Sequence, residues 1–333
     1  METKVLQPNK DSLNFCRELI LSGEVVAIPT ETVYGLGANA FNEDAVAKIY
    51  EAKGRPSDNP LIVHIADKSD VARVAREIPP LAQKVIDKFM PGSVTIVLPK
   101  QKAVPSRVTG GLDTVAIRMP AHEVALDFIR TCGVPICAPS ANTSTKPSPT
   151  TAMHVYDDLN GKIPAILDGG DCGVGVESTV IDFVTGKPRL LRAGGMPLEA
   201  LEREIGEIVR EVKSEKPLCP GMKYKHYSPD ASVTVFLPGR DKVGRIIARY
   251  DRLTAEGKKV VVLALDENKP RYEDRIVFSM GADDKSYAKR LFSALRDADK
   301  KGYDAVLCEG IPERGYGLSV MNRLLKAAAG NVE

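Results

Sequence analysis

Three oxygen-bearing side chains, Thr30, Glu31 and Thr32, follow an apolar run that Pro29 stops, and a cationic pair, Lys53 and Arg55, follows in a Gly/Pro-rich stretch ending near Asn59. Hydroxyls and a carboxylate at a strand end can hold a small polar substrate. Lysine and arginine two residues apart suit phosphate oxygens, because arginine offers a planar fork and lysine a mobile point charge. Pro56 and Pro60 oppose helix continuation, so both cations are expected on a loop. His64 closes the next apolar run. The same residues also fit a solvated helix end whose cations complement the C-terminal dipole, and a histidine on an apolar strand is commonly a satisfied core residue.

Four further constellations stand downstream. In Thr114-Val115-Ala116-Ile117-Arg118-Met119-Pro120, Arg118 interrupts an apolar strand; a buried arginine needs an anionic partner, a substrate carboxylate or an internal ion pair, unless it lies on the exposed face of an edge strand. Pro135 to Asn142 runs as a strand into Ser140 and Asn142, whose hydroxyl and amide are apt for nucleotide recognition, although an ordinary turn is the default reading. Gly169 to Thr179 is a Gly-rich loop that meets the next strand at Ser178, permitting close backbone approach to a ligand or forming a tight hairpin. Leu191 to Gly195 sets Arg192 at a strand end just before a helix, in a ligand-facing or a capping role.

What is missing narrows the chemistry. The sequence contains no Gly-x-x-x-x-Gly-Lys-Ser/Thr loop and no Gly-x-Gly-x-x-Gly, which disfavours P-loop ATPases and dinucleotide enzymes. Neither a Gly-x-Ser-x-Gly elbow nor a paired histidine motif is present. Six scattered cysteines without a Cys-x-x-Cys pair, beside four histidines, argue against a metal site or a disulfide framework. A net charge of +2 carries no global polyanion signature. The opening METKVLQPNKDSLNF lacks the basic and apolar pattern of a leader, and no apolar run approaches membrane-spanning length, so a cytoplasmic protein without a membrane partner is expected.

The elements that must position these residues alternate. Strand-like runs recur at 24–28, 61–65, 94–98, 114–118, 134–138, 164–167, 178–183 and 188–191, between helical patterns near 43–53, 68–88, 122–132, 150–159 and 197–206. Such alternation predicts an α/β domain with a twisted, mixed sheet. Residues 211–231, with three prolines and four lysines, read as a linker. A second alternation then follows: strands 232–236, 259–265 and 304–308, with helices 241–256, 284–300 and 318–329. It predicts a smaller three-layer α/β domain. At 333 residues, two domains are the better expectation.

Taken in order, PTETVYGLG, KGRPSDNPL, PGSVTIVL, VAIRMP, APSAN, ESTVID and LRAGG resemble the threonylcarbamoyl-AMP synthase family, whose catalytic part is the YrdC-like domain. GMKYKHYSP and the module after it resemble the long, two-domain form. The resemblance implies a YrdC-like sheet with flanking helices over 1–210, a linker and active-site lid over 211–231, and a Rossmann-like α/β domain over 232–333. It implies synthesis of L-threonylcarbamoyladenylate from L-threonine, bicarbonate or CO2 and ATP, with Mg2+ on the phosphates and release of pyrophosphate. The product feeds threonylcarbamoylation of adenosine 37 in tRNA. The implied functional partner is the tRNA threonylcarbamoyl transferase, without a need for this chain to bind tRNA directly.

Carried over by motif position, Thr32, His64, Arg118 and Ser178 form the threonine-binding set. Lys53 and Arg55 are the implied catalytic cations, with no protein-held metal. Arg55, Asn59, Thr114, Ala138, Ser140, Asn142, Ser148, Arg192 and Tyr227 are the implied ATP contacts. Tyr227 stands for the lid, with Tyr224 and His226 as its neighbours. Two other classes compete. A double-stranded RNA-binding or ribosome-maturation module is opposed by the near-neutral charge. A carbamoyltransferase of the hydrogenase-maturation type lacks here its acylphosphatase region and Cys-x-x-Cys fingers.

Overall fold

The computed structural model describes residues 2–210, 218–220 and 227–333. These divide into two compact units. The first holds the described residues up to Pro220 except Thr145–Pro147 and Val174–Val176; the second holds those two segments and the described residues from Tyr227 to Glu333. Tyr224 and His226 lie outside the described residues.

The first unit opens with β1 (Lys4–Leu6), α1 (Lys10–Leu21), β2 (Val26–Ile28), β3 (Gly35–Asn39), α2 (Glu43–Lys53) and β4 (Ile62–His64). It continues through α3 (Val71–Val74), α4 (Pro80–Phe89), β5 (Val94–Pro99), β6 (Thr114–Arg118), α5 (Glu123–Cys132) and β7 (Ile136–Ala138). It closes with α6 (Ala152–Leu159), β8 (Ala165–Leu167), β9 (Thr179–Asp182), β10 (Arg189–Arg192) and α7 (Leu198–Ile205). The strands form a mixed ten-stranded sheet in the order β1-β8-β2-β3-β7-β4-β6-β5-β9-β10. Helices α1 and α5 cover part of it through Cys16, Ile20, Phe128 and Ile129, which pack on Val26, Ile28, Ile136 and Leu167.

Local sequence explains most of these elements. Asn42 caps α2 by accepting from the Asp44 and Ala45 amides at 3.1 and 3.0 Å, and Gly54, in the left-handed region at φ 59°, ends it. Lys53 is therefore the last residue of the helix and buried, not a loop cation, which corrects the expectation drawn from Pro56 and Pro60. The expected helix at 68–88 breaks into a 3-10 turn, α3 and α4, because Ala75 is extended and Pro79-Pro80 restart the chain at the first helical position. Three elements of this unit lie outside the expected alternation: β1, α1, whose Asn9–Ser12 capping box starts it, and β3. Taken alone, Gly35 and Gly37 suit a close backbone turn as well as a strand. In space, a Cβ at Gly37 would meet Ile136 Cγ2 at 2.7 Å, so glycine is what lets β3 lie close to its neighbours.

The second unit carries β11 (Ser232–Phe236), α8 (Lys242–Ala255), β12 (Val260–Ala264), β13 (Val277–Ser279), α9 (Asp284–Lys300), β14 (Ala305–Glu309) and α10 (Gly317–Ala328). All pairings of its four-stranded sheet, ordered β11-β14-β12-β13, are parallel. The α8 and α9 crossovers run in opposite directions across the sheet, so the right-handed rule places them on opposite faces. Phe236, Val243, Ile246, Val262, Tyr272 and Leu307 form its core. No helix among the described residues is long and apolar enough to cross a membrane.

Candidate active site

Register brings the first set of residues together. Strand β4 lies between β6 and β7, and His64 pairs across to Arg118 on one side and Ile136 on the other. The loop after β2 returns over this point. Arg118 donates from Nη1 to Thr32 Oγ1 at 2.7 Å and from Nε to the Gly92 carbonyl at 3.2 Å. Thr32 is itself set by a hydroxyl turn, with 2.8 Å between its Oγ1 and that of Thr30, which also donates to the Val33 carbonyl at 2.6 Å. A terminal nitrogen of Arg118 lies 2.7 Å from Oε1 of Glu31, and both side chains are largely withdrawn from solvent.

Ser178 sits where the Gly-rich loop enters β9. Its hydroxyl is 2.7 Å from Thr95 Oγ1 on the parallel neighbour β5. Arg192, at the end of β10, donates twice to the Ser178 carbonyl, at 3.1 and 3.0 Å, and once to its hydroxyl at 3.2 Å. Its remaining terminal nitrogen donates to the Pro220 carbonyl at 3.1 Å. Gly194 packs directly on this strand: a Cβ there would stand 2.2 Å from the Ser178 carbonyl carbon.

The second group centres on Lys53. Its ammonium donates to the Ser140 carbonyl at 2.6 Å and to the Asn142 carbonyl, with Asn142 Oδ1 3.5 Å away. Ser140 Oγ donates to that Oδ1 at 2.5 Å. Lys53 thus holds the Ser-x-Asn turn after β7 in shape. Arg55 reaches the Pro60 carbonyl at 3.4 Å, and the Asn59 carbonyl accepts from Tyr50 at 3.1 Å, while Asn59 Oδ1 is buried without a hydrogen-bond partner. Thr114 begins β6 half-buried, and Ala138 ends β7 opposite Ile62 of β4. Ser148 donates to Glu177 at 2.6 Å, one residue before Ser178.

The electrostatics follow from burial. Lys53, Arg118 and Arg192 are only 2, 3 and 7% exposed. Full burial, with Arg118 adding to it, pulls the His64 imidazole down to about 3, so it is neutral at pH 7, and its Nδ1 lies 3.1 Å from the Ile62 carbonyl. Burial, the largest single influence, pushes the Glu31 carboxyl up, but the Arg118 charge and hydrogen bond, with backbone hydrogen bonding at Ala121 and at Glu31 itself, together hold the group below the usual carboxylate range. Burial also lowers His122, beside Glu31.

Thr32, His64 and Arg118 meet, Ser178 joins Arg192, and Lys53 joins Ser140 and Asn142. Tyr227 belongs to the second unit, where its ring stacks on Phe292 at 5.1 Å and lies under the Arg323 guanidinium at 5.6 Å. Sequence reasoning left Glu31, Thr95, Glu177 and Gly194 without assigned roles. Only Glu31 carried a usable signal, a carboxylate between two threonines at a strand end. Among the described residues, no group of three or more His, Cys, Asp or Glu could hold a metal ion.

A family model described as Telomere recombination matches residues 18–194, and one described as the threonylcarbamoyl-AMP synthase C-terminal domain matches residues 196–329. The threonylcarbamoyl-AMP synthase of Pyrococcus abyssi is 52% identical over 318 residues, covering 93% of this chain and 92% of the relative. That of Bacillus subtilis is 48% identical over 337 residues, covering 99% and 96%. The solved structure of P. abyssi Sua5 complexed with L-threonine is similar at a TM-score of 0.94 and 48% identity, covering 100% of this chain and 99% of that one.

Proposed function

The chain belongs to the threonylcarbamoyl-AMP synthase family, and from that premise we propose how its residues join L-threonine, CO2 derived from bicarbonate, and ATP into L-threonylcarbamoyladenylate. The observation that carries the reading is the set of three buried cations: Lys53 on the Ser140 and Asn142 carbonyls after β7, Arg118 on the Thr32 hydroxyl in the loop after β2, and Arg192 on Ser178 at the entry to β9. Threonine's carboxylate would take Arg118, with Thr32, His64 and Ser178 around its body. The triphosphate would lie toward Lys53, Arg55, Ser140 and Arg192, with Asn59, Thr114, Ala138, Asn142 and Ser148 on the nucleotide.

The chemistry asks little of the protein beyond position and charge. Threonine's free amine adds to CO2, a carbamate oxygen attacks the α-phosphorus in line, and pyrophosphate leaves. Two anions must approach one another, so cations fixed in a water-poor site lower the barrier. A neutral His64 can orient the threonine side chain without adding charge. Magnesium would enter on the triphosphate as part of the nucleotide substrate, held by phosphate oxygens more than by protein ligands.

The carbamate reverts and the anhydride hydrolyses in open water, so a lid is useful. In this reading the 211–231 linker supplies it, with Tyr227 as its nucleotide contact, in a cytoplasmic enzyme that passes its product to a tRNA threonylcarbamoyl transferase. The decisive assay is pyrophosphate release dependent on both threonine and bicarbonate, with the adenylate detected by mass. Absence of that product with Mg2+ present would remove the proposal. Deleting 213–230 should shorten product lifetime, and unchanged lifetime would remove the lid.

A further inference from the structure

The Glu31–Arg118 pair is close but incompletely satisfied. The two charges lie 2.7 Å apart, yet the Arg118 terminal nitrogen is poorly aligned on Glu31 and the second carboxylate oxygen, Oε2, is buried without a well-directed hydrogen bond, with only weak backbone support at Ala121 and Glu31 itself. Oε1 also accepts from Ser93 at 3.2 Å. A buried ion pair that leaves a donor and an acceptor poorly met costs free energy that a better arrangement recovers. One donor facing an anion and one acceptor facing a cation, side by side, complement a zwitterion carrying a carboxylate and an ammonium on one carbon.

We propose that Glu31 is the residue that receives the substrate's α-ammonium group, and that in the unliganded enzyme it stands in for the substrate carboxylate on Arg118. This deepens the threonine-site reading above and rests on it. On binding, the substrate carboxylate completes the hydrogen bonding of Arg118, and Glu31 trades part of its attraction to Arg118 for the ammonium on Oε2. The exchange conserves charge inside the site, since a zwitterion enters an existing pair. Sharing Arg118 also removes part of what depresses the Glu31 carboxyl, while burial, which pushes it up, remains. Glu31 then becomes a better proton acceptor next to the nitrogen that must lose a proton before it can add to CO2. The neighbouring histidines do not compete for the ammonium as charged groups, because burial lowers both His64 and His122 toward their neutral forms.

The test is calorimetric binding of L-threonine and of (R)-3-hydroxybutyrate, the same molecule without the amine, to the full chain and to Glu31→Gln. Glu31→Gln should weaken threonine roughly tenfold or more, as loss of one partner from a buried charge pair does. It should leave hydroxybutyrate unchanged or tighter, because Arg118 no longer carries an internal carboxylate. A Glu31 that merely props Arg118 would weaken both ligands by the same factor, and that result, or unaltered threonine binding, overturns the proposal. If Glu31→Gln fails to fold, Glu31→Asp must still shift the ratio of the two affinities against threonine; an unchanged ratio overturns it equally. A parent enzyme that binds no threonine removes the site reading itself, a failure distinct from a threonine-binding parent whose Glu31 variants behave like it.

Discussion

Arg192 grips Ser178 three times, with two hydrogen bonds to its carbonyl and one to its hydroxyl, at 3.0 to 3.2 Å. An arginine assigned to the nucleotide therefore shapes the residue assigned to threonine. Arg192→Ala is expected to raise the KM for threonine as well as for ATP, and its effect should not add to that of Ser178→Ala. Residues in one hydrogen-bond network typically show interaction energies of about 0.5–3 kcal/mol. A double-mutant cycle on kcat/KM checks this, and simple additivity would separate the two sites.

Gly194→Ala places a methyl 2.2 Å from the Ser178 carbonyl carbon and 2.3 Å from the Glu177 oxygen and the Thr179 nitrogen. All three contacts are backbone atoms, so no side chain can rotate away. The expected outcome is a loss of roughly 1–3 kcal/mol or more in stability, together with weaker threonine binding. Urea unfolding and calorimetry read the two effects; a parent-like midpoint would show that the strand yields freely.

Lys53→Met removes the donor shared by the Ser140 and Asn142 carbonyls. Leaving buried acceptors unmet costs about 1–3 kcal/mol, so this variant should be less stable than the parent even without substrates. Its KM for ATP should rise because the Ser140 turn loosens. Lys53→Arg keeps the charge but brings a planar fork to a site built around a point donor, and it should restore little. Full stability in Lys53→Met would mean that Lys53 serves the substrate alone.

His64 binds a proton at an ordinary 6.5 in the unfolded chain and only at about 3 in the folded one. Between those values unfolding takes up a proton, so stability is fully present above 6.5 and falls as pH drops through the window, by at most about 1.4 kcal/mol per pH unit. Glu31, also depressed, adds its loss only below its ordinary 4.5. Urea midpoints at about pH 7 and pH 5 should therefore converge in His64→Gln relative to the parent. His122 shifts in the same direction but is present in both proteins, and cancels. An identical pH slope in the two proteins would contradict a neutral buried His64.

Much of the site was legible because it is written in short, ordered motifs. The strand ends at His64, Arg118 and Ala138 follow from β-branched and apolar runs, and the Asn42 cap and Gly54 stop follow from local chemistry. The strand through Gly35 and Gly37 was not legible, since the need for glycine there comes from a strand far away in sequence, at Ile136. Likewise Lys53 read as a loop cation because the carbonyls that bury it are 87 and 89 residues away.

Residue types, their order and the local spans that carry them were determined by the sequence alone, because backbone propensity, capping and proline act within a few residues. Only the tertiary structure decided the partners: that Glu31 rather than solvent faces Arg118, that Thr95 meets Ser178, and that Gly194 must lack a side chain. Those facts depend on which strands become neighbours in a mixed ten-stranded sheet and in what register. Strand order and register are set by burial and pairing summed over the whole unit, and no short stretch of the chain contains that sum.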